Sequence, residues 1–273
     1  MRWLTALLVS LSVLAAGLPA HPESEVAIAE LSRLIERTPL QPSLWFARSA
    51  RFIEHGRWSE AEADLVETER LSPGFPGLNL AFAQVLLERG RYSSARERAH
   101  LVLSQESENA AAHLLSARAS AKLGDAKAAA MGFSRAIALL AEPAPELFLE
   151  RANLDLPVKV RLEGLEEGLS RIGPAHVLLV RALDLELSAG RTDDALRRID
   201  RIVAQSERNA TWLKRRGDIL VTAGRFSEAR AAYEQAKASL AVLPDWLKRS
   251  PETTLSLTDL THALNQLPPA PPP

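Results

Sequence analysis

The residues able to carry chemistry are few and scattered. The chain has six histidines, at positions 21, 55, 100, 113, 176 and 262, and no cysteine. Disulfides, thiolate metal sites and cysteine nucleophiles are thereby removed, and imidazole is left as the soft ligand. No HExxH pair occurs, and the two nearest histidines, His100 and His113, fall on different expected helices, so no metal site is expected. No phosphate loop, GxGxxG or GxSxG is present, hence no cofactor and no catalytic residue are expected, and the chain does not read as an enzyme. The acidic runs Glu60-Ala61-Glu62 and Glu163 to Glu167 read as solvated helix faces rather than paired catalytic carboxylates. With 33 basic against 34 acidic side chains there is no excess charge to neutralise phosphates, so nucleic acid is not an expected partner. A charged fraction of 25% beside 47% hydrophobic residues belongs to a chain that folds around a core.

The first twenty residues read as an address. Arg2 is followed by an uncharged run from Leu4 to Ala16, then by Gly17-Leu18-Pro19-Ala20 and the polar His21-Pro22-Glu23. That order of basic, apolar and small-residue parts predicts a signal peptide over residues 1–20, cleaved after Ala20. An uncleaved anchor helix is the alternative, although the run falls short of the roughly 20 residues a span needs. The residues exclude a lipidated cysteine and a twin-arginine signal. No later stretch is long and apolar enough to cross a bilayer, so the mature chain is expected to carry no membrane span. Arginine far outnumbers lysine, a bias of GC-rich bacterial genomes, and a periplasmic or secreted location is expected.

A period of 34 residues organises the remainder. Gly56, Gly90 and Gly124 are 34 residues apart, and Gly190 and Gly224 repeat the interval. Each is followed five residues later by alanine, at Ala61, Ala95, Ala129, Ala195 and Ala229. Self-similarity at this length marks a repeat architecture. Between Gly124 and Gly190 the spacing is 66, so one irregular unit lies there. Each period reads as two helices joined by a short turn. In the second helix apolar residues such as Ala129, Phe133 and Ala136 share one face. Ser59 with Glu62 fits a capping box, and Thr192 before Asp193 and Asp194 fits a helix start. Glycine ahead of each start supplies the positive φ of a tight turn, where a Cβ would cost about 1 kcal/mol.

These residues resemble the tetratricopeptide repeat family. In residues 42–75, Trp45, Ser49, Phe52, Gly56, Trp58, Ala61, Leu65 and Pro73 fall at that family's characteristic spacings. Residues 76–109 carry Ala83, Gly90, Tyr92 and Ala95, residues 110–143 carry Ala117, Gly124 and Ala129, and residues 210–243 carry Gly217, Gly224, Phe226 and Ala229. Residues 176–209 match less well, though Gly190 and Ala195 hold register. The resemblance implies an all-α fold, a right-handed superhelical solenoid of antiparallel helix pairs. Its expected order is a half repeat serving as capping helix (21–41), three regular repeats (42–143), a degenerate repeat (144–175), two more repeats (176–243), a C-terminal capping helix (244–267) and a Pro-rich tail (268–273). In the degenerate repeat, Asp155-Leu156-Pro157 replaces the turn glycine and Gly164 and Gly168 interrupt a helix, predicting the softest unit of the array. Decay of a repeat, or a hinge or contact role, would both account for it. At the C-terminal end Ser250-Pro251-Glu252 reads as a helix start before a stripe of Leu257, Leu260, Leu264 and Leu267.

In arrays of this family the first helices line a concave groove. The groove spacing, carried onto this chain, selects Phe46, Ala50 and Ile53, then Leu80, Gln84 and Leu87, then Leu114 and Arg118. Further along it selects Phe148, Val180, Asp184, Lys214 and Asp218. This apolar surface with isolated polar residues suits an extended apolar peptide or an amphipathic helix, although any of the apolar residues could instead pack on the neighbouring hairpin. The family's carboxylate-clamp subclass is excluded, because Phe46, Ala50 and Ala81 occupy its polar positions. The expected function is a non-catalytic protein-protein interaction scaffold or adaptor of the bacterial cell envelope, with one or more protein partners. The alternative is a regulatory or activator subunit of a periplasmic enzyme. Closed ends predict a monomer.

Overall fold

The computed structural model describes residues 22–269 apart from residue 207. The expected signal peptide and the end of the Pro-rich tail lie outside the described residues. Among the described residues the regular structure is fifteen helices and no strand. They divide into two compact units, one up to Ala141 and one from Glu142 onward.

The first unit holds α1 (Pro22–Arg37), α2 (Pro42–Glu54), α3 (Trp58–Leu71), α4 (Leu78–Glu88), α5 (Tyr92–Gln105), α6 (Ala110–Lys122) and α7 (Ala126–Leu139). Each helix packs on the next, and α4 also packs on α2 and α6, so the first helices of successive hairpins lie side by side. The second unit holds α8 (Pro145–Ala152), α9 (Val158–Ile172), α10 (His176–Ser188), α11 (Thr192–Gln205), α12 (Ala210–Thr222), α13 (Phe226–Ala241), the short α14 (Asp245–Lys248) and α15 (Pro251–Gln266). There α10 packs on α8, and α15 closes over α13.

One turn serves five hairpins. Gly56, Gly90, Gly124, Gly190 and Gly224 all have positive φ, between 66° and 80°. The residue after each donates its N–H back to the carbonyl five residues earlier, as Arg57 does to Phe52 at 2.8 Å and Arg225 to Leu220 at 2.9 Å. That bond satisfies carbonyls the ending helix would leave open, and the left-handed glycine aims the chain back antiparallel. Five residues on, Ala61, Ala95, Ala129, Ala195 and Ala229 are fully buried where helix axes approach. The same rule governs Gly217, where a Cβ would stand 2.2 Å from Cε1 of Tyr233.

The capping box expected at Ser59 does not form, while α11 does start at Thr192 as expected. Helix α3 begins at Trp58, with Arg57 at its N-cap and no side-chain cap bond, and α11 begins at Thr192 behind Arg191 in the same way. The turn glycine already sets the entry. The acids of the first turns bind arginine instead: Glu60 takes Arg57 at 2.9 Å, and Glu62 takes Arg91 at 2.6 Å and also Arg89. Asn109, Asp125 and Ser250 do cap their helices, accepting from the N–H of Ala112, Ala128 and Thr253.

The irregular stretch is not loosely packed. A Cβ on Gly168 would stand 2.8 Å from Leu178 and 2.9 Å from Phe148, and one on Gly164 would meet the Arg151 guanidinium at 3.2 Å. Gly168 is needed for the close approach of Phe148 and Leu178, whereas at Gly164 a Cβ would only crowd the end of the Arg151 side chain.

Candidate partner-binding faces

In the first unit α2, α4 and α6 present the residues selected from the sequence. Phe46, Ile53 and Leu87 are half-buried against a core of Phe52, Leu65, Leu78, Phe82 and Leu86. Leu80 and Leu87 lie against Ala83, Ala99 and Leu115. Ala50, Gln84, Leu114 and Arg118 are half-exposed beside them. The Phe46 ring stacks tilted on Phe75, centroids 4.9 Å apart, which holds one end of the face. Phe46, Ile53, Leu80 and Leu87 therefore do both things open to them: one side packs on the core and the other stays at the surface.

The second unit departs from the expected groove. Phe148 is fully buried and lines no surface; the close passage of α8 over Gly168 draws its ring inward. Asp184, Lys214 and Asp218 are not isolated polar groups. Arg215 donates to Asp184 at 2.6 Å, Lys214 to Asp218 at 3.0 Å, and the Tyr233 hydroxyl to Asp218 at 2.8 Å. Burial, reinforced by the Asp218 bond, pushes the Tyr233 phenol well above its ordinary pKa. Val180 remains half-exposed. The second unit thus carries polar groups paired with one another where isolated ones on an apolar surface are expected.

The acidic run on α9 is likewise engaged. Glu167 accepts from the buried Arg151 at 2.6 Å, and Glu166 from the buried Arg198 at 2.6 Å. Arg198 also makes two bonds to Glu186 of α10, at 2.6 and 2.9 Å, so three consecutive helices meet on one guanidinium. In the first unit Arg98 of α5 joins Glu69 of α3, holding that carboxyl below its ordinary pKa, and Arg48 of α2 makes a two-pronged pair with the buried Asp64 of α3, both bonds 2.8 Å. Sequence reading missed these pairs, yet a signal existed. Glu62 with Arg91 and Glu69 with Arg98 are acid-arginine pairs 29 residues apart, and Glu166 with Arg198 and Asp193 with Arg225 are pairs 32 apart.

Among the described residues no group of three or more potential ligands is placed to hold a metal ion, and no helix is long and apolar enough to cross a membrane.

A family model described as a tetratricopeptide repeat-like domain matches residues 163–250, and one described as a tetratricopeptide repeat matches residues 52–118. A TPR repeat-containing thioredoxin of Arabidopsis thaliana is 24% identical over 246 residues, covering 76% of this chain and 36% of that protein. The chain thus spans about a third of the length of this curated relative. The C-terminal part of a TPR repeat-containing protein from Cytophaga hutchinsonii is similar in structure, with TM-score 0.64, 12% identity, and coverage of 86% of this chain and 95% of that one. A tetratricopeptide repeat protein from Parabacteroides merdae follows with TM-score 0.52, 16% identity, and coverage of 88% and 93%. At these identities the likeness concerns the fold.

Proposed function

We propose, from a chain that belongs to the tetratricopeptide repeat family, that it is a protein-interaction scaffold which takes an apolar peptide or helix on the α2–α4–α6 face. The repeats and their relatives support the scaffold role. The observation that carries the finer reading is the row of half-exposed Phe46, Ile53, Leu80, Leu87 and Leu114 on adjacent first helices, an apolar strip left over after the core is filled. An apolar peptide face set on such a strip removes area from water on both sides, and Gln84 and Arg118 beside it give the complex a direction. The thioredoxin in the relative's name needs a thiol pair, and this chain has no cysteine with which to perform dithiol chemistry.

The reading is tested by affinity capture from an envelope extract. The wild type runs beside Leu80→Glu/Leu114→Glu, with Met131→Glu as a control at an exposed residue of α7. All three are first shown to be equally helical and to melt cooperatively. Retention of one protein by the wild type and the control, with loss in the double variant, supports the face. Equal capture by all three overturns it. The setting proposed is the bacterial envelope, and its support is the composition of residues 1–20 together with the excess of arginine over lysine. Mass measurement of the protein recovered from a bacterial host checks it: a chain starting at His21 supports export, and an intact Met1 start in the cytoplasmic fraction overturns it.

A further inference from the structure

We propose that Asn209, in the connection from α11 to α12, is an N-glycosylation acceptor whose sugar comes from a lipid diphosphate-linked oligosaccharide. The inference rests on the export proposed above and is independent of the α2–α4–α6 face. The chain has five asparagines, at 79, 109, 153, 209 and 265, and Asn209 is the one with a hydroxyl residue two places on, in Asn209-Ala210-Thr211. That is the acceptor pattern of exported proteins, and Ala210 meets its requirement for a residue other than proline. Glu207, two places earlier, adds a carboxylate that an enzyme groove can hold by an ion pair.

The repeat supplies a comparison within the same molecule. Asn109 and Asn209 each stand at the N-cap of the first helix of a repeat, before α6 and α12. The Asn109 side chain is engaged at both ends: Oδ1 accepts from the Ala112 N–H at 2.9 Å, and Nδ2 donates to Glu106 at 2.8 Å. Asn209 keeps the backbone half of the cap, its carbonyl accepting from the Leu213 N–H at 2.9 Å, but its side chain makes no cap bond. The cause is the backbone. Asn109 has the extended ψ of 102° that turns an N-cap side chain over the helix start, whereas Asn209 is at φ −92° and ψ −3°. Asn209 is half-exposed, Thr211 is exposed, and the buried residues of α12 begin at Leu213, so a glycan here displaces no core side chain. In an extended chain residues two apart face the same side, so a pocket that grips the Thr211 hydroxyl presents the Asn209 amide. The first turn of α12 must be open for this, either before it winds during translocation or by fraying of an end whose N–H groups have no helical partner. The Asn209 Nδ2 then bonds to the anomeric carbon of the sugar. The anomeric C–O bond breaks, the lipid diphosphate leaves with its electron pair, and an amide proton passes to the transferring enzyme, with no change of oxidation state.

Peptide mapping by mass spectrometry tests the site, on the protein recovered from the envelope of its native bacterium as wild type, Asn209→Gln, Thr211→Ala and Thr211→Ser. The N-terminus is read in the same runs. The expected result is a chain starting at His21 whose Asn209 peptide carries the mass of a sugar chain, both in the wild type and in Thr211→Ser, which keeps the hydroxyl. Asn209→Gln and Thr211→Ala should lose that mass while remaining as helical as the wild type. A chain starting at His21 with a bare Asn209 peptide overturns the site and leaves export standing. Sugar that persists on this peptide in Asn209→Gln or Thr211→Ala also overturns it, because the acceptor would then be another residue or another pattern. A chain that keeps Met1 overturns the export reading, and the site with it.

Discussion

At the scale of single residues, Gly217 and Tyr233 show why small side chains recur at fixed places. The Tyr233 ring is 3% exposed and lies where a Cβ on residue 217 would need to be, 2.2 Å from Cε1. The ring cannot step aside without leaving the core and breaking its bond to Asp218. Gly217→Ala should therefore destabilise the protein by about 1–3 kcal/mol in urea unfolding, the usual cost of overpacking. The same change in a Tyr233→Leu background should cost much less, because the two residues share one space; equal costs in both backgrounds would refute the account. Tyr233 also gives a pH signature. Its folded pKa is raised, so the stability it contributes is complete below the ordinary tyrosine value of about 10 and is lost as pH climbs through the folded value. Melting temperature against alkaline pH should fall less steeply in Tyr233→Phe than in the wild type.

At the scale of elements, neighbouring helices are tied by arginine. Arg198 and Glu186 are both buried, with side chains 8% and 4% exposed, so removing Glu186 leaves the buried guanidinium with the exposed Glu166 alone, two of its three carboxylate bonds lost. Glu186→Ala should cost about 3–5 kcal/mol by chemical denaturation, whereas Arg198→Met/Glu186→Leu should recover most of that loss. A double variant as unstable as the single one would mean that the charges, not their packing, are required. The Arg98 bond between α3 and α5 adds an acid-side prediction. Glu69 has a lowered folded pKa, so its contribution is present above the ordinary glutamate value of about 4.3 and disappears as pH falls through the folded value. Glu69→Gln should lose less stability than the wild type between neutral and strongly acid pH. What was legible in the sequence follows from the same physics. Turn glycines and the alanines behind them answer to backbone geometry and close approach, which tolerate few substitutes, so they stand out as a period. The capping box at Ser59 was misread because a local pattern cannot show that Glu62 is taken by Arg89 and Arg91 of the next hairpin. Phe148 was placed in a groove because the spacing holds, while its burial depends on Gly168 of a different helix.

At the scale of the whole molecule, a repeat leaves an apolar face at each end of a stack, and something must cover it. In the second unit α15 does so. Ser250 caps its start, Leu260 and Leu267 are 1% and 8% exposed, and Arg230 of α13 donates to the Pro268 carbonyl at 2.9 Å. Without α15 the face of α13 it packs on would be uncovered, while Val242 and Trp246 are already 83% and 72% exposed. An apolar patch on that scale drives self-association. A chain ending at Arg249 should accordingly sediment as concentration-dependent oligomers and melt at lower temperature, whereas the full chain stays monomeric at the same concentrations. The control is Leu260→Asp in the full chain, which keeps every residue but puts a charge where α15 meets its support, and it should reproduce both effects. A truncated chain that remains monomeric and equally stable would show that α15 is an appendage, and that the end of the second unit is closed by α13 alone.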